Sequence, residues 1–220
     1  MWWLRWAGGS HDEFGFHPSS CKRGNRGSLW TDRHDALEAA VVWAFRFCGL
    51  RARTWGSSPW FGSAGYRPGH SRPLRGDIVA PHFLGSARHM FLDVAVACPA
   101  TRQALLASPS SAHSSGVAAS LREQKKVAKY GEVAHAVGGV FRGCVVERFG
   151  AVSEGLCGLI RQLAGDDDCD VLDEAAVFSA SSRVTCVAQR VVLAAVMGDA
   201  RMLLTVLEQD VHSRPRAGPD

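Results

Sequence analysis

The chain has 220 residues, 46% of them hydrophobic and 21% charged, with a net charge of +4. That is an ordinary globular composition, long enough for one well-buried domain with tails or two small ones. No apolar stretch reaches ~18 residues, which excludes a helical membrane span, and the apolar start Met1–Ala7 is too short for the core of a signal peptide.

In chain order, residues 1–30 are rich in Gly, Ser, Trp and Arg and show little periodicity, so they are expected to be poorly structured. The tryptophans at the extreme terminus read as a fragment boundary or a spurious start. A first helix is expected from an Asp32 cap to Gly49, with Leu37, Val41, Ala44, Phe45 and Cys48 on one face. Residues 51–55 read as a short strand and 56–71 as a Gly/Ser/Pro loop. Ile78-Val79-Ala80 reads as a strand stopped by Pro81, and a turn near Gly85-Ser86 leads into a strand over 90–98. A Ser-rich loop over 107–116 is followed by a helix over 117–137 that Gly138-Gly139 ends. A strand over 140–149 and a helix over 153–164 follow, the latter turning Leu156, Leu159, Ile160 and Leu163 inward. Residues 184–207 hold one or two strongly apolar helices, interrupted near Gly198-Asp199. The folded domain is expected over 31–208, with a disordered tail over 209–220. Helix, strands, helix, strand, helices predict an α/β sandwich with a mixed sheet. The absence of a Walker loop, a G-x-G-x-x-G and a G-x-S-x-G argues against nucleotide-binding and α/β-hydrolase readings.

The charges are unevenly spread. Residues 1–76 carry eleven Lys+Arg against five Asp+Glu, a balance compatible with a polyanionic partner. The seven cysteines are scattered and contain no C-x-x-C pair, so no disulfide partner is expected and an intracellular, reducing setting follows.

Asp93 is the most informative residue. It interrupts the apolar run Phe91–Cys98, which reads as a strand buried on both faces. A carboxylate there needs a partner, hydrogen bonds or a metal. A second carboxylate, Asp77, opens the preceding strand, and Lys125, Lys126 and Lys129 lie on the helix that follows. Two strand-borne aspartates and a lysine-bearing helix suggest a metal-dependent phosphodiester-cleaving site. Asp77 and Asp93 would converge on one Mg²⁺ (or Mn²⁺), with Glu38 of the first helix as a third ligand. Lys126 or Lys129 would orient water and neutralise charge on the phosphate. The bland alternatives are that Asp77 pairs with Arg72 or Arg75, and that Lys126, Lys129 and Arg122 form a solvated helical stripe. His34 and Glu147 equally suit capping and strand-end pairing, and Gln189 and Arg190 suit satisfying each other.

This order, with these residues, resembles the PD-(D/E)XK, or restriction-endonuclease-like, superfamily. More narrowly it resembles the endonuclease-like region at the C-terminal end of non-LTR retroelement reverse transcriptases, over residues 17–207. The family's H-x-x-x-C half-knuckle is similar to His17–Cys21, and its R-H-D-A-L helix start to Arg33-His34-Asp35-Ala36-Leu37. Its R-P-D strand resembles Arg72-Pro73 through Asp77, and its D-x-T-V strand resembles Asp93-Val94-Ala95-Val96. Its K-x-x-K-Y helix resembles Lys126–Tyr130, its E-x-x-G strand end Glu147–Gly150, and its late Q-R Gln189-Arg190. Pro73 and Asp77 are separated where the family has them adjacent, and Ala95 stands where the superfamily's motif lysine falls, so the resemblance passes that role to Lys126 or Lys129. The C-x-x-C half of the knuckle is missing, and zinc is not expected, because His17 and Cys21 alone lack the four ligands of a structural site.

The resemblance implies a restriction-endonuclease-like core, a small mixed sheet flanked by helices in α-β-β-β-α-β order, with extra C-terminal helices. It implies Mg²⁺-dependent nicking of DNA in the nucleus by Asp77, Asp93, Lys126 and Lys129, with Arg72, Arg75, Arg122 and Lys125 on the DNA, or else a degenerate and inactive copy. The alternatives are a non-catalytic nucleic-acid-binding module and a folded remnant with no biochemical role.

Overall fold

A computed structural model describes residues 5–6, 9–10, 26–54, 61, 74–101, 105–106, 108, 114–165 and 182–213. It is a mixed α/β structure with four α-helices and a small four-stranded mixed sheet among those residues. Two strands of two residues, β1 (Arg5–Trp6) and β2 (Gly9–Ser10), pair antiparallel near the N-terminus.

Helix α1 spans Arg26–Phe47. The expected start at Asp32 is six residues late: Asp32 is an exposed position inside the helix, not its cap. The preceding turn is held by packing that periodicity does not show, with Leu29 and Trp30 half-buried and the Arg33 guanidinium 4.7 Å above the Trp30 ring. Leu37, Val41, Ala44 and Phe45 are all buried on one stripe. The helix ends in a Schellman turn. Gly49 takes a left-handed φ of 76° while its N–H bonds Arg46 and the Leu50 N–H bonds Phe45.

The sheet runs in the order β3 (Arg53–Thr54), β4 (Ile78–Ala80), β5 (Met90–Ala97), β6 (Val140–Glu147). The pairs β3–β4 and β4–β5 are antiparallel; β5–β6 is parallel and eight residues long. Helix α2 (Val117–Ala136) is the crossover between β5 and β6. Helices α3 (Glu154–Ala164) and α4 (Arg183–Ser213) follow.

Strand alternation divides the core into two layers. Met90, Leu92 and Val94 of β5 join Cys144 and Val146 of β6 in the main cluster with α1, α3 and α4. The intervening residues face α2: Phe91 and Phe141 meet Tyr130 and Ala134, while Ala97 and Val145 meet Ala118 and Ala119. The sheet is thus covered on both faces, which accounts for the near-continuous apolar run of β5.

Helix α4 is continuous where an interruption near Gly198-Asp199 was expected. A Cβ on Gly198 would stand 2.5 Å from Arg33 Cγ, so the glycine lets α1 and α4 approach closely. Asp199 is buried there, in contact with Arg33 Nη1 and 3.5 Å from Arg148 Nε. Glycine and aspartate, read as helix breakers, serve tertiary contacts instead. The helix also continues to Ser213, past the expected start of a tail at residue 209.

Candidate functional site

The site forms where β4 ends and β5 runs on. The β4–β5 ladder covers only Met90–Leu92, so beyond it the β4 side of β5 has no strand neighbour among the described residues. Both backbone groups of Val94 are nonetheless satisfied. Its N–H donates to Asp77 Oδ2 at 2.6 Å, and its carbonyl accepts from Lys126 Nζ at 3.2 Å. Side chains replace the missing strand, as backbone accounting requires.

Asp77 itself continues the ladder by one backbone bond, from its N–H to the Leu92 carbonyl at 2.9 Å. The register Ile78↔Leu92, carried one step further, sets Asp77 opposite Asp93. Like charges so placed repel unless partners intervene. Lys126 does so as an ammonium, and His34 does so as a cation once its imidazole is protonated. Lys126 Nζ contacts Asp93 Oδ2, and His34 Nε2 lies 3.1 Å from Asp77 Oδ2.

Asp93 is 5% exposed and points toward α2. Lys126 reaches it because α2 lies close to the sheet at that point. Beside Asp93 in the parallel ladder is Gly143, where a Cβ would stand 3.0 Å from Glu123 Cγ. Helix α2 is pinned by two carboxylates: its own Glu123 accepts from the Gly155 N–H at 3.0 Å, and Glu147 of β6 accepts from the Ala119 N–H at 3.1 Å. Glu147 therefore caps the start of α2, and its strand-end role is structural. Lys126 follows Glu123 by three residues, so the pin also sets the lysine's height above the sheet.

The electrostatics follow from this crowding. Burial pushes the Lys126 ammonium down to about 8, while Asp77 pulls it up and Lys129 pushes it down. Its contact with Asp93 also favours the charged form. Glu38, one turn along α1 from His34, is pushed up to about 7 by burial and by Asp77, with His34 acting the other way. His34 is raised, first by its hydrogen bond to Asp77. Ligating atoms of His34, Asp35 and Glu38 all lie within 4.8 Å of one another. Lys126 and His34 are thus set against four carboxylates: Asp77, Asp93, Glu38 and the exposed Asp35. Carboxylate oxygens are the hard donors that a divalent cation such as Mg²⁺ requires.

Of the residues expected at the site, Asp77, Asp93 and Lys126 come together, and Glu38 joins them through His34. Lys129 does not. Its Nζ bonds the Tyr130 hydroxyl at 2.9 Å and lies 4.5 Å above that ring. Arg122 and Lys125 lie on the exposed side of α2, and Arg75 is exposed at the approach to β4. The alternative pairing of Asp77 with Arg75 is not made; His34 and the Val94 N–H bond its carboxylate instead. Tyr130 is core, stacked on Phe141 at 5.0 Å. Arg190 lies 4.9 Å over the Trp43 ring rather than serving the site. Arg72, His17 and Cys21 lie outside the described residues. The cysteines at 48, 98, 144, 157 and 186 are free, and no described helix is long and apolar enough to cross a membrane.

His34, read from the sequence as a capping residue, instead contacts Asp77 at the site. Its signal was present as a His and Glu four apart, which share one helical face. The chain matches no protein-family model and no curated protein in sequence.

Proposed function

We propose that this chain is a restriction-endonuclease-like domain that nicks DNA by metal-dependent phosphodiester hydrolysis, related to the endonuclease-like region of non-LTR retroelement reverse transcriptases. The observation that carries the reading is the buried Asp93–Lys126 pair with Asp77 across from it, at the point where β5 outruns β4. The element order, with α1 before three strands and α2 between β5 and β6, suits the same reading.

Asp77, Asp93 and Glu38 would hold Mg²⁺ or Mn²⁺. When bound, such an ion polarises the scissile phosphate and lowers the pKa of a coordinated water. Lys126 neutralises charge that builds on the phosphate and orients the attacking water. Arg122, Lys125 and Arg75 contact flanking phosphates, with Arg72 as a further candidate. Lys129 has a supporting role only, since its ammonium is held by Tyr130. On this reading the chain works in the nucleus.

A second reading, a non-catalytic nucleic-acid-binding module, is favoured by one observation. Asp93 and Lys126 contact each other directly, and a mutually neutralised pair can be purely structural. Plasmid nicking with Mg²⁺ or Mn²⁺ separates the two, comparing wild type with Asp93→Asn and with an EDTA control. Nicking that disappears in the variant and in the chelator supports the nuclease. No nicking by folded wild type, with DNA affinity that falls as log salt rises, supports the binding module.

A further inference from the structure

His34 reaches Asp77 from a different layer of the fold, across 43 positions of sequence. Its ring is held from both sides. Nε2 lies 3.1 Å from Asp77 Oδ2, while Nδ1 lies 3.5 Å from Asp35 Oδ1 and 3.9 Å from Glu38 Oε2. Asp77 Oδ2 also accepts the Val94 N–H at 2.6 Å. Two donors on one oxygen, one from α1 and one from β5, fix the carboxylate plane. Oδ1 carries no hydrogen bond or ion pair among the described residues.

We infer that His34 is a positioning residue: it locks Asp77 through Oδ2 so that Oδ1 is presented as a metal ligand, with Glu38 and Asp35 fixing the imidazole in turn. The inference rests on the metal-site reading proposed above. Groups that orient a ligand from behind typically change metal affinity by about 10- to 100-fold when removed. The chain carboxylate–imidazole–carboxylate also ties α1 to the strand end, so the site is assembled across the sheet rather than within it. The polar partners of His34 are Asp77, Asp35 and Glu38, so its removal leaves the Asp93–Lys126 pair intact.

The test is Mn²⁺ binding, followed by electron paramagnetic resonance and calorimetry, alongside nicking as a function of Mn²⁺ concentration. Wild type, His34→Ala, His34→Gln and Asp77→Asn are compared, with melting curves for each. His34→Ala is expected to need about 10- to 100-fold more Mn²⁺, with the nicking rate at saturation within a few-fold of wild type. His34→Gln, whose amide N–H can still donate to Asp77, is expected to recover most of the affinity. Three outcomes overturn the inference alone: unchanged Mn²⁺ affinity in His34→Ala, no recovery in His34→Gln, or nitrogen hyperfine coupling showing His34 bound to the ion itself. A wild type that binds no Mn²⁺ and does not nick overturns the metal-site reading, and this inference falls with it.

Discussion

Around Asp199 two arginines converge; around Asp93 a single lysine does. Both aspartates are buried to the same extent, 5% exposed each. Their surroundings differ in sign. The Asp199 cluster joins α1, α4 and the segment after β6, and among the described residues two arginines meet its one carboxylate. The Asp93 cluster lies at a strand end, and there carboxylates outnumber cations, with Asp77 opposite and Glu38 within electrostatic reach of Asp77. The residue types differ as well. Arginine's planar fork stays charged and suits a permanent clasp, whereas lysine is a compact charge whose pKa moves on burial. The Lys126 ammonium, pushed down to about 8, shows that movement. A buried charge is therefore weak evidence of function by itself, and the excess of one sign around it says more.

The sharpest way to break this comparison is to remove each aspartate. Asp199→Ala takes the carboxylate from the buried Arg33 guanidinium it contacts, and breaking a buried pair costs about 3–5 kcal/mol. For a chain of this size that lowers Tm by about 10 °C. Asp93→Ala strands Lys126 in the same way and is expected to cost about 3 kcal/mol. The two sites part company in the rescue. Asp93→Leu with Lys126→Met replaces the pair by apolar groups under α2 and should return most of that stability, while nicking stays abolished. If the double variant nicks, the Asp93–Lys126 pair is structural and the contrast between the clusters fails.

Two glycines sharpen the structural half. Gly198→Ala would put a Cβ 2.5 Å from Arg33 Cγ and 3.3 Å from its Cα. Arg33 is held by Asp199, so it cannot swing aside. Overpacking of about 1–3 kcal/mol then outweighs the gain of about 1 kcal/mol in helix propensity. Gly158, inside α3, has nothing within 4 Å of such a Cβ. Gly158→Ala should therefore stabilise by about 0.5–1 kcal/mol, as an unobstructed helix substitution does. Paired denaturant titrations with opposite signs at the two positions are expected. Equal signs would mean that α1 and α4 do not meet at Gly198.

These residues also show what can be read without coordinates. Ile78–Ala80, Val117–Ala136 and the Ser153-capped α3 are legible because apolar spacing and punctuation by Pro, Gly or Ser coincide there. Gly198 misleads because a glycine that permits close packing carries the same local signature as one that ends a helix. The early start of α1 is missed because Leu29 and Trp30, half-buried and with Arg33 over the Trp30 ring, lie in a stretch without apolar periodicity. At the site, the need for a partner to Asp93 is legible from its apolar setting, and a lysine on the following helix is the right class. Which lysine is not legible. Lys126 and Lys129 share a helical stripe, and only the close approach at Gly143 and the Tyr130 hydroxyl decide that Lys126 turns inward. The His34–Asp77 contact has no local pattern at all, since it joins elements from different layers.

The smallest expected effect tests whether the carboxylate surplus is real. Glu38 is raised to about 7 in the folded chain, from 4.5. Between those values the folded state binds the extra proton, so stability falls as pH rises through about 4.5 to 7. Below that window Glu38 is protonated in both states and contributes its full share; above it, the buried carboxylate is charged beside Asp77 and that share is gone. Glu38→Gln removes the titration. At pH 8 it should be more stable than wild type by about 1 kcal/mol, a figure discounted for partial exposure, and at pH 4 the two should melt together. Adding Mn²⁺ should reverse the order at pH 8, since an ion that binds only the folded chain stabilises the protein that keeps its ligand. Melting curves across pH, with and without Mn²⁺, read both effects. A Glu38→Gln protein that melts with wild type at every pH would mean that neither burial nor Asp77 raises Glu38, and that the difference in sign between the two clusters rests on Asp77 and Asp93 alone.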